Sequence, residues 1–160
     1  VLVSEQQEQE ALEALSQQFL AALAAKDKGD VDRAEEQLRA VLRVEPRLPE
    51  PRMELARILL DTDRVVDAEP HARQALEHLQ SGGQWTDELP ENVVLGLAHA
   101  LLAEVLRRHA DEDDVIFGDP ERFGGLVQES KEHFAKAAEL DPDDSYSSYY
   151  AFFLGEDGHR

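Results

Sequence analysis

MELARILLDTDRVVDAEPHARQALEHL, Met53–Leu79, decides the fold. Met53, Leu55, Ala56, Leu59 and Leu60 mark an apolar-faced helix over about 50–60. Ala68, Ala72, Ala75 and Leu76 recur at helical spacing in a second helix that runs to about Leu79. Shifting the chain by 34 residues lays this second helix on an earlier one: Val31 falls on Val65, Ala34 on Ala68, Val41 on Ala75 and Leu42 on Leu76. A helix–turn–helix unit recurring at that period cannot bury its apolar face alone, so it must stack on its neighbours.

The flanks read as helix too. Ser4 with Gln7 spells a capping box. Leu12, Leu15, Phe19 or Leu20, and Leu23 form one face up to Lys26–Gly29, where Gly29 is a C-cap. Asp30 caps the next helix, whose stripe is Ala34, Leu38, Val41 and Leu42. Pro46, Pro49 and Pro51 interrupt it. Pro70 requires that its helix start late, near Asp67, or kink. Ser81-Gly82-Gly83 is a loop, and the long join Gln80–Leu89 carries Trp85, either packed under that loop or exposed as an anchor. Pro90 falls in the first turn of a helix reaching about Arg108. Residues 109–125 read as non-helical, 126–140 as a helix stopped at Asp141-Pro142, and 145–154 as a last, aromatic helix. Strand signals are missing, so the expected fold class is all-α.

Three stretches share a pattern: GDVDRAEEQLRAVLRVEP (Gly29–Pro46), Met53–Leu79, and SKEHFAKAAELDP (Ser130–Pro142). Each has a small residue early in its second helix, and the first and third close on apolar–acid–Pro. On these residues the chain resembles the tetratricopeptide-repeat family, in its small bacterial form. The resemblance implies one domain, an antiparallel helix–turn–helix solenoid of three repeats (12–48, 49–82 and 90–142) with a capping helix at 145–154. An insertion at 109–125 interrupts the third repeat. It also implies that the first helices of successive units line a concave groove. The groove residues would be Gln18 and Ala22 in repeat one, Met53, Arg57 and Leu60 in repeat two, and Leu95, His99 and Leu102 in repeat three. Such a strip suits a segment of a protein or peptide partner. Arg57 has no Lys and Asn companions of the kind that clamp a terminal carboxylate in some members of the family.

Charge narrows the partners. With 16 Lys+Arg against 35 Asp+Glu in 160 residues, the net charge is −19. That repels nucleic acid and anionic membrane surfaces. The absence of cysteine excludes disulfides, thiolate metal sites and Cys nucleophiles, and it leaves both a cytoplasmic location, the expected one, and a periplasmic one open. The richest apolar stretch, Val93–Leu106, is broken by Gly96, His99 and Glu104 and reads as a buried helix rather than a membrane span. There is no Gly-rich phosphate loop, zinc-binding His pair or nucleophile elbow, so no catalytic residue and no cofactor is expected. Asp111, Glu112, Asp113 and Asp114 lack EF-hand spacing, and no metal site is expected. His71 and His78 read as surface histidines, and His99 as a buried histidine or a groove contact.

The insertion HADEDDVIFGDPERFGG (His109–Gly125) has six acids, Asp113 and Asp114 among them, against Arg122 alone. Its Phe117 and Phe123 are expected to dock on the body and hold an acidic lid beside the groove. The tail aromatics Tyr146, Tyr149, Tyr150, Phe152 and Phe153 should mostly cover the open end of the stack, and any left exposed would favour self-association. The expected function is a non-catalytic adaptor. The alternatives are a dedicated chaperone of a secreted or assembly-prone partner, and an enzyme or metal sensor. A charged partner would be basic and would meet the acidic C-terminal end.

Overall fold

The computed structural model describes residues 4–154. Among them there is no strand, and the fold class is all-α. The helices are α1 (Glu5–Asp27), α2 (Val31–Val44), α3 (Pro49–Asp61), α4 (Val65–Gln80), α5 (Glu91–Ala110), α6 (Asp113–Ile116), α7 (Pro120–Leu140) and α8 (Ser145–Phe153). Each long helix packs on the next, with the short α6 set against α5 and α7. The most extensive pairing is α5 with α7.

Local chemistry sets the boundaries. The Ser4 hydroxyl accepts from the Gln7 amide while the Gln7 side chain accepts from the Ser4 amide, which closes the capping box. Asp30, Asp119 and Asp144 each accept from the backbone three residues on, at the starts of α2, α7 and α8. Three helices end on a left-handed residue: Gly29 (φ 85°), Asp63 (φ 60°) and Gly82 (φ 81°). In each case the following amide reaches back to an orphan carbonyl of the last turn: Asp30 to Ala25, Arg64 to Leu59, and Gly83 to His78. Gly29 and Asp63 stand one 34-residue period apart, so the turn repeats with the helices.

The expected stripe Ala34, Leu38, Val41 and Leu42 is buried. One continuous core runs from Phe19 to Leu154, and a small satellite of Leu15, Val41 and Leu48 joins it through Trp85. Charged side chains tie neighbouring helices at the edges. Glu35 of α2 accepts from both terminal nitrogens of Arg64 (2.6 and 3.0 Å), and Glu129 of α7 does the same for Arg73 of α4 (2.6 and 2.9 Å). Arg64 and Arg73 hold their carboxylates below the usual range.

One alternative is decided and one expectation fails. The helix does not start late near Asp67: α4 begins at Val65, and Pro70 lies inside it. Pro70 and Val66 are both exposed, so the carbonyl left without its helical donor is on the solvent side. Residues 109–125 are not a non-helical insertion: α6 occupies their middle and α7 starts at Pro120. Asp119-Pro120, which reads as a turn, is an N-cap followed by a first-turn proline. Gly124 and Gly125 are helix interior despite their low helix propensity.

Candidate binding cleft between α1, α3 and α5

An open cleft of about 450 Å³ lies between α1, α3 and α5, with the 84–89 loop as one wall. Its apolar floor comes from Phe19 and Leu23 of α1, Met53 of α3, and Val94 and Leu101 of α5. Leu20 and Leu97 stand on the rim at 52% and 51% exposure, and Leu89 is exposed beside them. Three large exposed aliphatic side chains around one hollow are more than the scattered apolar residues of an ordinary surface.

The polar groups of the cleft are mostly committed. Lys26 donates to Glu54 at 3.2 Å. Glu50 accepts from the Trp85 amide (3.0 Å), the Thr86 amide (2.7 Å) and the Thr86 hydroxyl (3.0 Å), which latches the loop to α3. The Trp85 ring lies 5.6 Å from that of Phe19, so Trp85 packs under its own loop. Arg57 bonds to no other described residue. It lies between this cleft and an adjoining 340 Å³ hollow that Leu60, Glu104, Arg108 and Tyr146 also line. There Glu104 accepts from Arg107 and from the Tyr146 hydroxyl.

The structure separates the expected groove residues. Met53 and Arg57 line the cleft, and Leu60 underlies the adjoining hollow. Gln18 and Ala22 do not line the cleft: Phe19 and Leu20 do, and Ala22 is buried in the core. In α5, Leu95, His99 and Leu102 give way to Val94, Leu97 and Leu101. One residue is a rotation of about 100°. It turns His99 onto α7, where it meets His133, and buries Leu102. α5 is apolar on nearly every side, so periodicity alone could not choose which face meets the cleft.

The insertion is likewise rearranged. Val115, not Phe117, docks it: Val115 is fully buried, and Phe117 is 81% exposed. Phe123 packs partly against the core, as expected. Asp113 and Asp114 are exposed, and Arg122 points a guanidinium nitrogen to within 3.3 Å of His109 Nε2. No residue of 109–125 lines the cleft, so the insertion is not a lid on it. The tail aromatics cover less than expected. Tyr150 stacks on Phe134 under the Arg107 guanidinium, while Tyr146, Tyr149, Phe152 and Phe153 stay exposed.

A histidine pair lies away from the cleft. His99 Nδ1 and His133 Nδ1 lie 2.9 Å apart between α5 and α7. Burial, then His133 and Lys136, push the His99 imidazole down to about 4, and burial also lowers His133. No group of three or more His, Cys, Asp or Glu among the described residues is placed to hold a metal ion. No described helix is long and apolar enough to cross a membrane.

Fold and cleft together define a class: an all-α protein whose helices pack each on the next and leave an apolar hollow between alternate ones. No family model matches the chain, and no curated protein matches it.

Proposed function

We propose that the chain is a non-catalytic interaction module of the tetratricopeptide type, and that its cleft seats an amphipathic helix of a partner protein. The single observation that carries this reading is the cluster of Leu20, Leu89 and Leu97 around the α1–α3–α5 hollow, beside the unpaired Arg57. A helical occupant follows from backbone bookkeeping. The walls are mostly helices whose own amides and carbonyls are satisfied, and Glu50 and Glu54 are engaged within the chain. An extended segment would bury amide and carbonyl groups with nothing to pair with, whereas a helix satisfies its own. Its apolar face meets the leucines, and one carboxylate meets Arg57. The remaining face is neutral or basic, because the surface around it belongs to a chain of net charge −19.

The test is affinity capture with the intact chain against Leu97→Asp and Arg57→Glu, each first shown to keep its helical circular dichroism. The partners that the intact chain retains should be lost by Leu97→Asp and weakened by Arg57→Glu. If every specific partner stays with both variants, the cleft is not the binding surface.

A further inference from the structure

Another face of α3 looks onto α2 and α4. There a pocket of about 210 Å³ is lined by Arg39, Leu42, Arg43, Arg52, Leu55 and His71. In a chain of net charge −19, three guanidinium groups and an imidazole line one hollow and no carboxylate does.

Arg52 is 7% exposed, so its charge is buried. One terminal nitrogen donates to the Pro46 carbonyl at 2.6 Å, and the other to His71 Nδ1 at 2.9 Å. Its Nε has no partner, and no described carboxylate pairs with it. A buried cation served by neutral acceptors alone carries a desolvation cost that an anion would offset. Burial lowers the Arg52 pKa, which is the same cost seen from the proton's side.

The neighbours complete a donor set. Arg52 can only donate, so His71 Nδ1 accepts, and the His71 proton sits on Nε2. That nitrogen bonds to no other described residue. Arg39 and Arg43 are one helical turn apart on α2 and share a face. Glu35 bonds to Arg39 at 3.0 Å but takes Arg64 through both of its oxygens, so it is divided between them. Arg43 bonds to no other described residue. Asp67 on α4, one turn before His71, is an acid whose charge acts on the imidazole, and it does not line the pocket. Asp32, Glu35 and Glu36 line a neighbouring hollow with Arg39 and Arg43, but within this pocket Arg43 and Arg52 present two positive charges that no carboxylate faces.

We propose that this pocket binds a phosphate group, with Arg43 and Arg52 balancing its two charges and the His71 Nε2–H as a third donor. A dianion matches the charge count and a monovalent carboxylate does not. The volume holds roughly seven waters' worth of space, enough for a tetrahedral oxyanion with part of its hydration. The site is independent of the cleft, which uses the Met53–Arg57 face of α3.

The test is an NMR titration of the whole chain at a pH where phosphate is a dianion, following the His71 ring and the arginine Nε–H signals. Inorganic phosphate, phenyl phosphate, acetate and chloride are compared at equal ionic strength. Saturable shifts at His71 and Arg52 with inorganic phosphate, phenyl phosphate or both support the site, and the tighter of the two identifies free anion or phosphomonoester as its form. Arg43→Ala, a change at an exposed position, should weaken binding by about tenfold, and Arg39→Ala should weaken it less. Shifts that fail to saturate overturn the proposal, as do shifts matched by acetate or chloride, or an affinity unchanged in both arginine variants. Arg52 itself is left intact, because removing it threatens the fold.

Discussion

His99 on α5 and His133 on α7 face each other through their Nδ1 atoms at 2.9 Å, with ring centroids 5.2 Å apart. One nitrogen must donate and the other accept, so the pair is compatible with neutral rings and not with two imidazolium ions. Glu129 lies 3.6 Å from His133 Nε2 but is already held by Arg73, and Lys136 adds positive charge. The folded protein therefore holds His99 at about 4, well below the ordinary 6.5, and lowers His133 and His71 as well. Below pH 6.5 the unfolded chain binds more protons than the folded one, so stability falls as pH drops, until His99 itself protonates near 4. Glu35 and Glu129 have lowered pKa values, and their contribution is lost only below about 4.5. The loss between about pH 6.5 and 5 thus belongs to the histidines, and His99 by itself should account for about 2 kcal/mol of it at pH 5. Urea unfolding at several pH values checks this. His99→Leu should flatten the slope; an unchanged slope would place the titration elsewhere.

Glu50 holds the 84–89 loop through two backbone amides and the Thr86 hydroxyl. Glu50→Ala should cost about 2 kcal/mol, since these donors lose their acceptor. Trp85 is the chain's single tryptophan, so its emission reports on the latch. A red shift on Glu50→Ala, with helical content unchanged, is the expected result. Emission identical to that of the intact chain would mean that the Phe19 contact alone fixes the loop.

Within the 109–125 segment the two apolar positions should behave oppositely. Val115 is fully buried and Phe117 is at the surface. Val115→Ala is expected to cost about 2 kcal/mol, and Phe117→Ser to stay within about 0.5 kcal/mol. Thermal or chemical unfolding of the two variants decides; a costly Phe117→Ser would show that the phenyl ring is buried in solution.

Local and periodic chemistry carried the part of the fold that could be read from sequence. The capping box at Ser4, the Gly29 stop, the Asp30 cap and the Ala34–Leu42 stripe each depend on residues within one or two turns, and each stands as expected. What failed depends on partners far along the chain. α7 as a whole packs on α5, and it runs through Gly124-Gly125, where local propensity argues against a helix. The cleft face of α5 is chosen by the docking of α7, because Val94, Leu95, Leu97, His99, Leu101 and Leu102 offer no single polar side to exclude. Met53 and Arg57, expected in a groove from the tetratricopeptide resemblance alone, do line the cleft. The Arg52 pocket left no periodic trace, since Arg39, Arg43, Arg52 and His71 come from three helices and only folding brings them together.

Three glycines separate packing from backbone demand. A Cβ added at Gly124 or Gly125 would meet nothing within 4 Å, and both residues are in the interior of α7. Neither has the left-handed φ that would require glycine. Alanine at either position should therefore stabilise the fold by about 1 kcal/mol, mostly by restricting the unfolded chain and favouring the helix. Gly29 also has open space around its Cβ position, but its φ of 85° is left-handed. Gly29→Ala should destabilise by about 1 kcal/mol despite the room available. Melting temperatures of the three variants, measured side by side, test the assignment of α7. If Gly124→Ala and Gly125→Ala behave like Gly29→Ala, the Asp119–Gly125 stretch is a turn, and α7 begins where the sequence alone would start it, near Leu126.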